Sequence, residues 1–122
     1  MADNGIVIRW ARPVAGREGH ASELFNTFTT YLGKQQQQGN IENYEPVMLA
    51  PNGGPVGGYI LVRGTRPALD KLSTSDDFLN LVTQATLVLK HVAIDHAYLG
   101  EALRTQMGRL QKYAPQARLE IK

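Results

Sequence analysis

Residues 41–64 constrain the fold more than any other stretch, because two runs of strand-forming residues flank a cluster of Gly, Pro and Asn at 51–55. This pattern predicts a β-hairpin. The second arm is apolar at the four consecutive positions 59–62, so neither of its faces suits contact with water. We therefore expect this arm to be a central strand of a sheet.

One strand and one helix are predicted before the hairpin. Residues 5–11 are rich in β-branched side chains and are followed by Pro13, which fits a strand of ordinary length. Between Gly16 and Gln38, apolar residues recur at steps of three and four, the pattern of an amphipathic helix, and Gly39 stands where such a helix commonly ends. A helix of this length is enough to cross a sheet.

Two helical segments and one strand are predicted after the hairpin. Thr65 is a typical cap for a short helix that reaches about Leu72. Residues 78–89 carry one apolar stripe, which predicts a second helical segment. Residues 91–99 are then expected to form the last strand, which ends at Gly100.

The C-terminal residues 101–122 are expected to lie outside a compact core of residues 5–100. A helix over 101–113 would carry an apolar stripe formed by Ala102, Leu103, Met107 and Leu110. That stripe must be buried against its own domain or against another copy, and we expect the helix to exchange between two copies. Residues after Pro115 are predicted to be a mobile tail or an edge extension.

The composition bounds the class of protein. At 122 residues, the chain is long enough for one domain and too short for two ordinary ones. Its 13 basic and 11 acidic residues are spread along the chain, and the net charge of +2 does not favour binding of nucleic acid. The absence of cysteine excludes disulfides and thiolate chemistry, and neither a membrane-spanning apolar run nor a signal-peptide pattern is present. We expect a cytoplasmic protein that binds neither nucleic acid nor membranes.

The order strand, helix, strand, strand, helix, strand is the split βαβ plan of a ferredoxin-like α+β sandwich. Short connections then place the first and third strands at the centre of a four-stranded antiparallel sheet. The helices cover one face of this sheet, and the other face is expected to carry Val7, Tyr59, Leu61, Ala93 and Ala97. A face this apolar needs a cover, which a homodimer packed sheet to sheet supplies.

Several short motifs resemble those of one superfamily. They are Trp-Ala-Arg-Pro-Val at 10–14, Gly-Arg-Glu at 16–18, Glu-Pro-Val at 45–47, Asn-Gly-Gly at 52–54, Gly-Tyr-Ile-Leu-Val-Arg-Gly at 58–64 and Tyr-Leu-Gly-Glu at 98–101. Over residues 5–113 the chain resembles the dimeric α+β-barrel superfamily, in particular small uncharacterised bacterial proteins.

The resemblance implies a dimer with a pocket between each sheet and its own helices, or at the barrel interior. Some members of the superfamily are cofactor-independent monooxygenases of aromatic substrates, some degrade haem, and many have no known activity. Fold alone therefore does not fix the function. No catalytic set of the monooxygenases matches this chain residue by residue, and none is carried over.

Two arginines stand on predicted strands. Arg9 lies in the middle of the first strand, where it either pairs with a carboxylate or reaches the end of the sheet, or else binds an anionic ligand. Arg63 ends the central arm, where it either clamps a ligand carboxylate or holds Asp95 or Glu101. The residues alone leave these alternatives open.

The last predicted strand holds His91, Asp95 and His96. In an extended strand, His91 and Asp95 share one face while His96 points the other way, so the spacing is poor for a metal and we predict no metal site. His96 is the one candidate catalytic residue, since histidine often serves as a general base near neutral pH. The alternative is a hydrogen-bonded histidine near a sheet end.

Trp10, Tyr59 and Tyr98 lie on strands that are expected to be neighbours. Such aromatic rings either line a small-molecule pocket or pack in the core or a dimer interface. The candidate binding residues are Trp10, Tyr59, Arg63, Asp95, His96 and Tyr98.

Three functions remain open at this point. The first is a homodimeric domain that binds a small, partly apolar molecule beside Trp10, Tyr59 and His96. The second is a cofactor-independent monooxygenase or related enzyme, in which His96 or a tyrosine moves a proton on an aromatic substrate. The third is a purely structural dimer. None of the three calls for a cofactor.

Overall fold

The computed structural model describes the backbone of residues 3–121 and the side chains of residues 3–114. The strands are β1 (Asn4–Trp10), β2 (Asn43–Met48), β3 (Gly58–Gly64) and β4 (Ala93–Tyr98). The helices are α1 (Glu18–Gln37), α2 (Arg66–Ser73), α3 (Asp76–Val88) and α4 (Gly100–Ile121). Within this described part, the four strands form one antiparallel sheet in the order β2-β3-β1-β4. The predicted α+β plan and the central places of the first and third strands are confirmed.

The last strand is shorter than predicted. It begins at Ala93, because His91 has a positive φ of 57° and lies in the turn before the strand. Backbone bonds tie this turn to the residues after β1: Lys90 N–H donates to the Arg12 carbonyl, and Ala11 N–H donates to the Lys90 carbonyl. The turn therefore lies beside the end of β1.

The C-terminal helix is longer than predicted. It continues through Pro115 to Ile121, so the expected tail after Pro115 is wrong. A proline inside a helix removes one backbone donor, which weakens the helix locally without requiring it to end. Among residues 3–121, no helix combines the length and the apolar character needed to cross a membrane.

The two central strands supply the middle of the core. Their register pairs Ile6 with Val62 and Ile8 with Ile60. All four side chains are buried on the face that α1, α2 and α3 cover. Because side chains alternate along a strand, the residues between them point to the other face.

The helices bring a matching apolar layer to this core. Leu24, Phe28 and Leu32 recur every four residues on α1 and are all buried. Phe28 meets Phe78 of α3 edge to face, with the ring centroids 5.8 Å apart. The hydroxyl of Ser75 accepts a hydrogen bond from the Phe78 N–H at 3.4 Å and so caps α3 where its buried side begins.

The face of the sheet that points away from α1, α2 and α3 is called the open face below. The strand register places on it all five residues predicted from the sequence, namely Val7, Tyr59, Leu61, Ala93 and Ala97. Each of them is half-buried within the single chain. The five residues are therefore on one face as expected, and the same face also carries the charged residues Arg9, Arg63 and Asp95.

The strand β2 is an edge strand, with β3 as its neighbour. Pro46 lies in the middle of β2, opposite Ile60. A proline has no N–H to donate, which is why it is found in edge strands and not in central ones.

Candidate functional site

A pocket of about 480 Å³ opens between the sheet and α1, at the end of β1. Its walls come from β1, α1, the β2–β3 connection and the segment that follows α3. The apolar side chains among them include Ile8, Trp10, Phe25, Phe28, Met48 and Leu49. Pockets of this volume are in the range that holds small molecules.

Trp10 forms one wall of the pocket. Its indole meets the ring of Phe25 edge to face, with the centroids 6.1 Å apart and the planes at 72°. Gly58 pairs with Trp10 across β1 and β3, and a Cβ atom on Gly58 would come within 2.7 Å of the indole Cζ2. The neighbouring Gly57 donates its N–H to the Trp10 carbonyl at 2.8 Å. The absence of a side chain at Gly58 therefore lets the indole lie against β3.

Three polar residues, Arg12, Glu18 and Ser22, also line the pocket. The Glu18 Oε1 accepts a hydrogen bond from the Gly16 N–H at 3.2 Å, which holds this carboxylate at the start of α1. Among the described residues that line the pocket there is no histidine or tyrosine. The arrangement suits a molecule with an apolar body and at least one polar group.

The structure divides the candidate binding residues between the two faces of the sheet. Trp10 lines the pocket on the helix-covered face. Tyr59, Arg63 and Asp95 lie on the open face. Their partners in the register are Arg9, Gly5 and Val7, the residues of β1 that alternate with the buried Ile6 and Ile8. The sheet therefore separates these three residues from Trp10.

The remaining two candidates stand at the other end of the sheet. His96 and Tyr98 are on the helix-covered face of β4, opposite Ile6 and Asn4, whereas Trp10 ends β1. Both side chains are exposed. The structure therefore does not bring Trp10, Tyr59 and His96 together around one pocket.

Arg9 pairs with a carboxylate, which is one of the alternatives predicted from the sequence. Its Nε donates to Asp95 Oδ2 at 2.6 Å across β1 and β4. The two side chains are 44% and 47% exposed, so the pair lies partly in water in the single chain. An exposed pair of this kind adds little to stability.

Arg63 has a different partner from those predicted. Its guanidinium donates to the Asn43 Oδ1 at 3.0 Å and lies 4.0 Å from a Glu45 carboxylate oxygen, both on β2. The expectation that it holds Asp95 or Glu101 is wrong, because β1 separates β3 from β4 in the sheet.

The predicted sharing of one strand face by His91 and Asp95 is also wrong, because His91 lies in the turn before β4. Among the described residues, no group of three or more Asp, Glu or His side chains is placed to hold a metal ion.

No family model and no curated protein matches the sequence of this chain. Solved structures do match its fold, among them the following two. A dimeric protein of unknown function with a ferredoxin-like fold, from Bacteroides fragilis NCTC 9343, aligns with a TM-score of 0.60 and 7% identity over 79% of this chain and 95% of the other. The cofactor-independent oxygenase SnoaB from Streptomyces nogalater aligns with a TM-score of 0.54 and 12% identity over 82% of this chain and 93% of the other. These likenesses show that the chain has a ferredoxin-like α+β fold.

In this ferredoxin-like fold, the pocket beside Trp10 lies between the sheet and its own helices, one of the two places that the resemblance implies. Phe25 and Phe28 are among the apolar residues between Gly16 and Gln38 whose spacing predicted an amphipathic helix, and Met48 and Leu49 stand in the first arm of the predicted hairpin, so neither pattern pointed to a pocket. One usable signal was Gly58, since a glycine in a central strand often marks a close approach of another group. The pairing of Gly58 with Trp10 supplies that group.

We expect Gly58→Ala to displace the indole from the pocket wall. The new Cβ would meet the Trp10 ring at 2.7 Å and the Val47 carbonyl oxygen at 2.9 Å, so one of them must shift. The free energy of unfolding in urea should fall by about 1–3 kcal/mol, and the emission maximum of Trp10, the chain's one tryptophan, should move.

The control for this variant is Gly53→Ala in the β2–β3 connection, where a Cβ meets nothing within 4 Å. It should leave both the emission and the unfolding free energy unchanged. A Gly58→Ala protein that matched the control in both measurements would contradict the close packing described for Trp10.

Proposed function

We propose that the protein is a homodimeric domain that binds a small, partly apolar molecule in the pocket beside Trp10. The observation that carries the proposal is the 480 Å³ pocket with aromatic and aliphatic walls between the sheet and α1. Burying an apolar ligand surface against such walls is favourable, at roughly 25 cal/mol per Å² removed from water. The pocket needs no rearrangement of the core to receive a ligand.

The chemistry of the lining favours a ligand of mixed character. The rings of Trp10 and Phe25 suit a flat or ring-shaped apolar body. Arg12, Glu18 and Ser22 then offer hydrogen bonds to a polar group at the same site. This division of polar and apolar walls is common in sites for small molecules.

We expect 1-naphthol, used as a probe of this character, to bind and to shift the indole N–H signal of Trp10 in a two-dimensional nitrogen–proton NMR spectrum. The chain has one tryptophan, so this single signal reports on the pocket. Ser22→Phe places a ring at the pocket and should raise the dissociation constant by at least about 10-fold.

The matched control is Asn26→Phe, one turn further along α1 at an exposed position that does not line the pocket. It should bind the probe as the unaltered protein does. Equal loss of binding in both variants, or no shift of the indole signal at all, would count against the proposed site.

The homodimer is supported by the open face and by the dimeric neighbour from Bacteroides fragilis. Val7 and Leu61 pair directly across the two central strands at the middle of that face. A second copy, packed face to face about a twofold axis, would remove these half-buried side chains from water.

Leu61→Asp should therefore convert a dimer to a monomer in sedimentation velocity, because the dimer would have to bury a charged carboxylate in place of an apolar side chain. We expect the dimer dissociation constant to rise by at least about 100-fold. Leu79→Asp is the control, since Leu79 is an exposed leucine of α3 in the helical layer. A dimer that tolerates Leu61→Asp as well as it tolerates Leu79→Asp does not use the open face.

A second candidate function is that of a cofactor-independent monooxygenase acting on an aromatic substrate. The fold of SnoaB and the aromatic walls of the pocket favour it. In such a reaction, O₂ converts a ring CH₂ group of the substrate to C=O and one water leaves, so the substrate supplies all the electrons. The first step needs a proton acceptor at the pocket.

For this second candidate, Glu18 is the carboxylate that lines the pocket, whereas His96, the acceptor predicted from the sequence, lies at the other end of the sheet. With a fused-ring phenol carrying an activated CH₂ group and no added cofactor, an oxygen electrode should record uptake by the unaltered protein. Glu18→Gln should reduce the rate by about 100-fold or more and His96→Gln should not. If oxygen uptake with the protein equals uptake in buffer alone, the monooxygenase function is contradicted and the binding function remains.

A further inference from the structure

Over the side chains that the structure describes, as far as residue 114, the helix α4 leaves its apolar side uncovered in the single chain. Its first turn is fixed to the sheet: the Leu99 N–H donates to the Asp3 carbonyl at 2.9 Å, and the Glu101 N–H reaches Asp3 Oδ1 at 3.4 Å. Beyond that turn, the large apolar side chains are about half exposed: Leu103 46%, Met107 48%, Leu110 54% and Tyr113 53%. This exposure contrasts with the buried stripes of α1 and α3.

Leu103, Met107 and Leu110 are spaced by four and three residues and therefore share one side of the helix. This set of three is called the α4 stripe. Continued back by four residues, the α4 stripe begins at Leu99. The helix α4 is also longer than the strand that precedes it: the 22 residues of α4 span about 33 Å, whereas the six residues of β4 span about 20 Å.

Leu99 connects the α4 stripe to the open face. Gly5 lies on that face, opposite Ala97, and a Cβ on Gly5 would lie 3.2 Å from the Leu99 Cδ1. The same Cβ would lie 3.0 Å from the Leu61 Cδ1, in the middle of the open face. Leu61, Leu99 and the α4 stripe therefore form one continuous apolar surface that passes from the sheet onto the helix.

We infer that α4 of each copy packs against the other copy, with the α4 stripe buried in the dimer contact. The inference rests on the proposed dimer through the open face. A copy seated on the open face stands beside Leu99, where the α4 stripe begins, so the same partner covers both surfaces. A membrane surface would cover the helix but would leave the open face without a partner.

The first test compares dimer dissociation constants by sedimentation equilibrium on the full chain. Leu103→Gln/Leu110→Gln should weaken the dimer by about 10-fold or more, because two leucines lose their apolar contact. Glutamine and leucine have similar helix propensities, so α4 should remain a helix in circular dichroism. The control Thr105→Gln/Lys112→Arg changes two residues on the opposite side of α4 and should leave the dissociation constant unchanged.

The second test locates the contact. The chain has no cysteine, so Met107→Cys carries a nitroxide label at one defined site on the α4 stripe. When this unenriched labelled copy is mixed with nitrogen-15 copies of the unaltered chain, the label should broaden backbone amide signals of the nitrogen-15 copy. Reduction of the nitroxide with ascorbate should restore those signals.

The outcomes separate this inference from the proposed dimer. A dimer that is weakened by Leu61→Asp but not by the α4 stripe variant, with no broadening between copies, overturns the inference and leaves the dimer standing. An unaltered chain that is monomeric at every concentration overturns both. An α4 stripe variant that keeps the dimer but loses binding to vesicles of phosphatidylcholine and phosphatidylserine assigns the stripe to a membrane surface and overturns the inference.

Discussion

The antiparallel pairing of β1 with β3 is the constraint on which the rest of the structure depends. Ile6 and Ile8 face Val62 and Ile60 under the helices, while the alternate residues of both strands face the other way. Because side chains alternate along a strand, a slip of one residue would exchange the two sets. Burial of the four aliphatic side chains opposes such a slip, so the packing of the core also decides which residues reach the open face.

The same register builds the pocket. It sets Trp10 opposite Gly58, where the missing side chain leaves space for the indole, and the ring then extends to Phe25. It also sets Arg9 on the opposite face, within reach of Asp95. Residues that are neighbours in the sequence therefore lie on different surfaces, Trp10 at the pocket and Arg9 on the open face.

The sequence predicted the elements of the core because hydrophobic periodicity reports directly on them. The hairpin, the central strands and the five residues of the open face follow from runs and alternations that are local in the chain. The candidate site does not follow in this way. Grouping Trp10 with Tyr59 needed the pairing between strands, placing His91 needed the backbone conformation of one turn, and the partner of Arg63 depended on which strand lies beside β3. Each of these depends on a relation between distant segments of the chain, and the periodicity of a sequence reports only on local structure.

Pro46 affects one way in which copies of this chain could assemble, namely the addition of strands at the β2 edge of the sheet. An edge strand normally presents a row of free N–H and C=O groups to which a strand from another molecule can add, and repeated addition produces fibrous aggregates. Proline in the middle of β2 removes one donor from that row and places a ring in its path. Lateral growth of the sheet through β2 is therefore disfavoured.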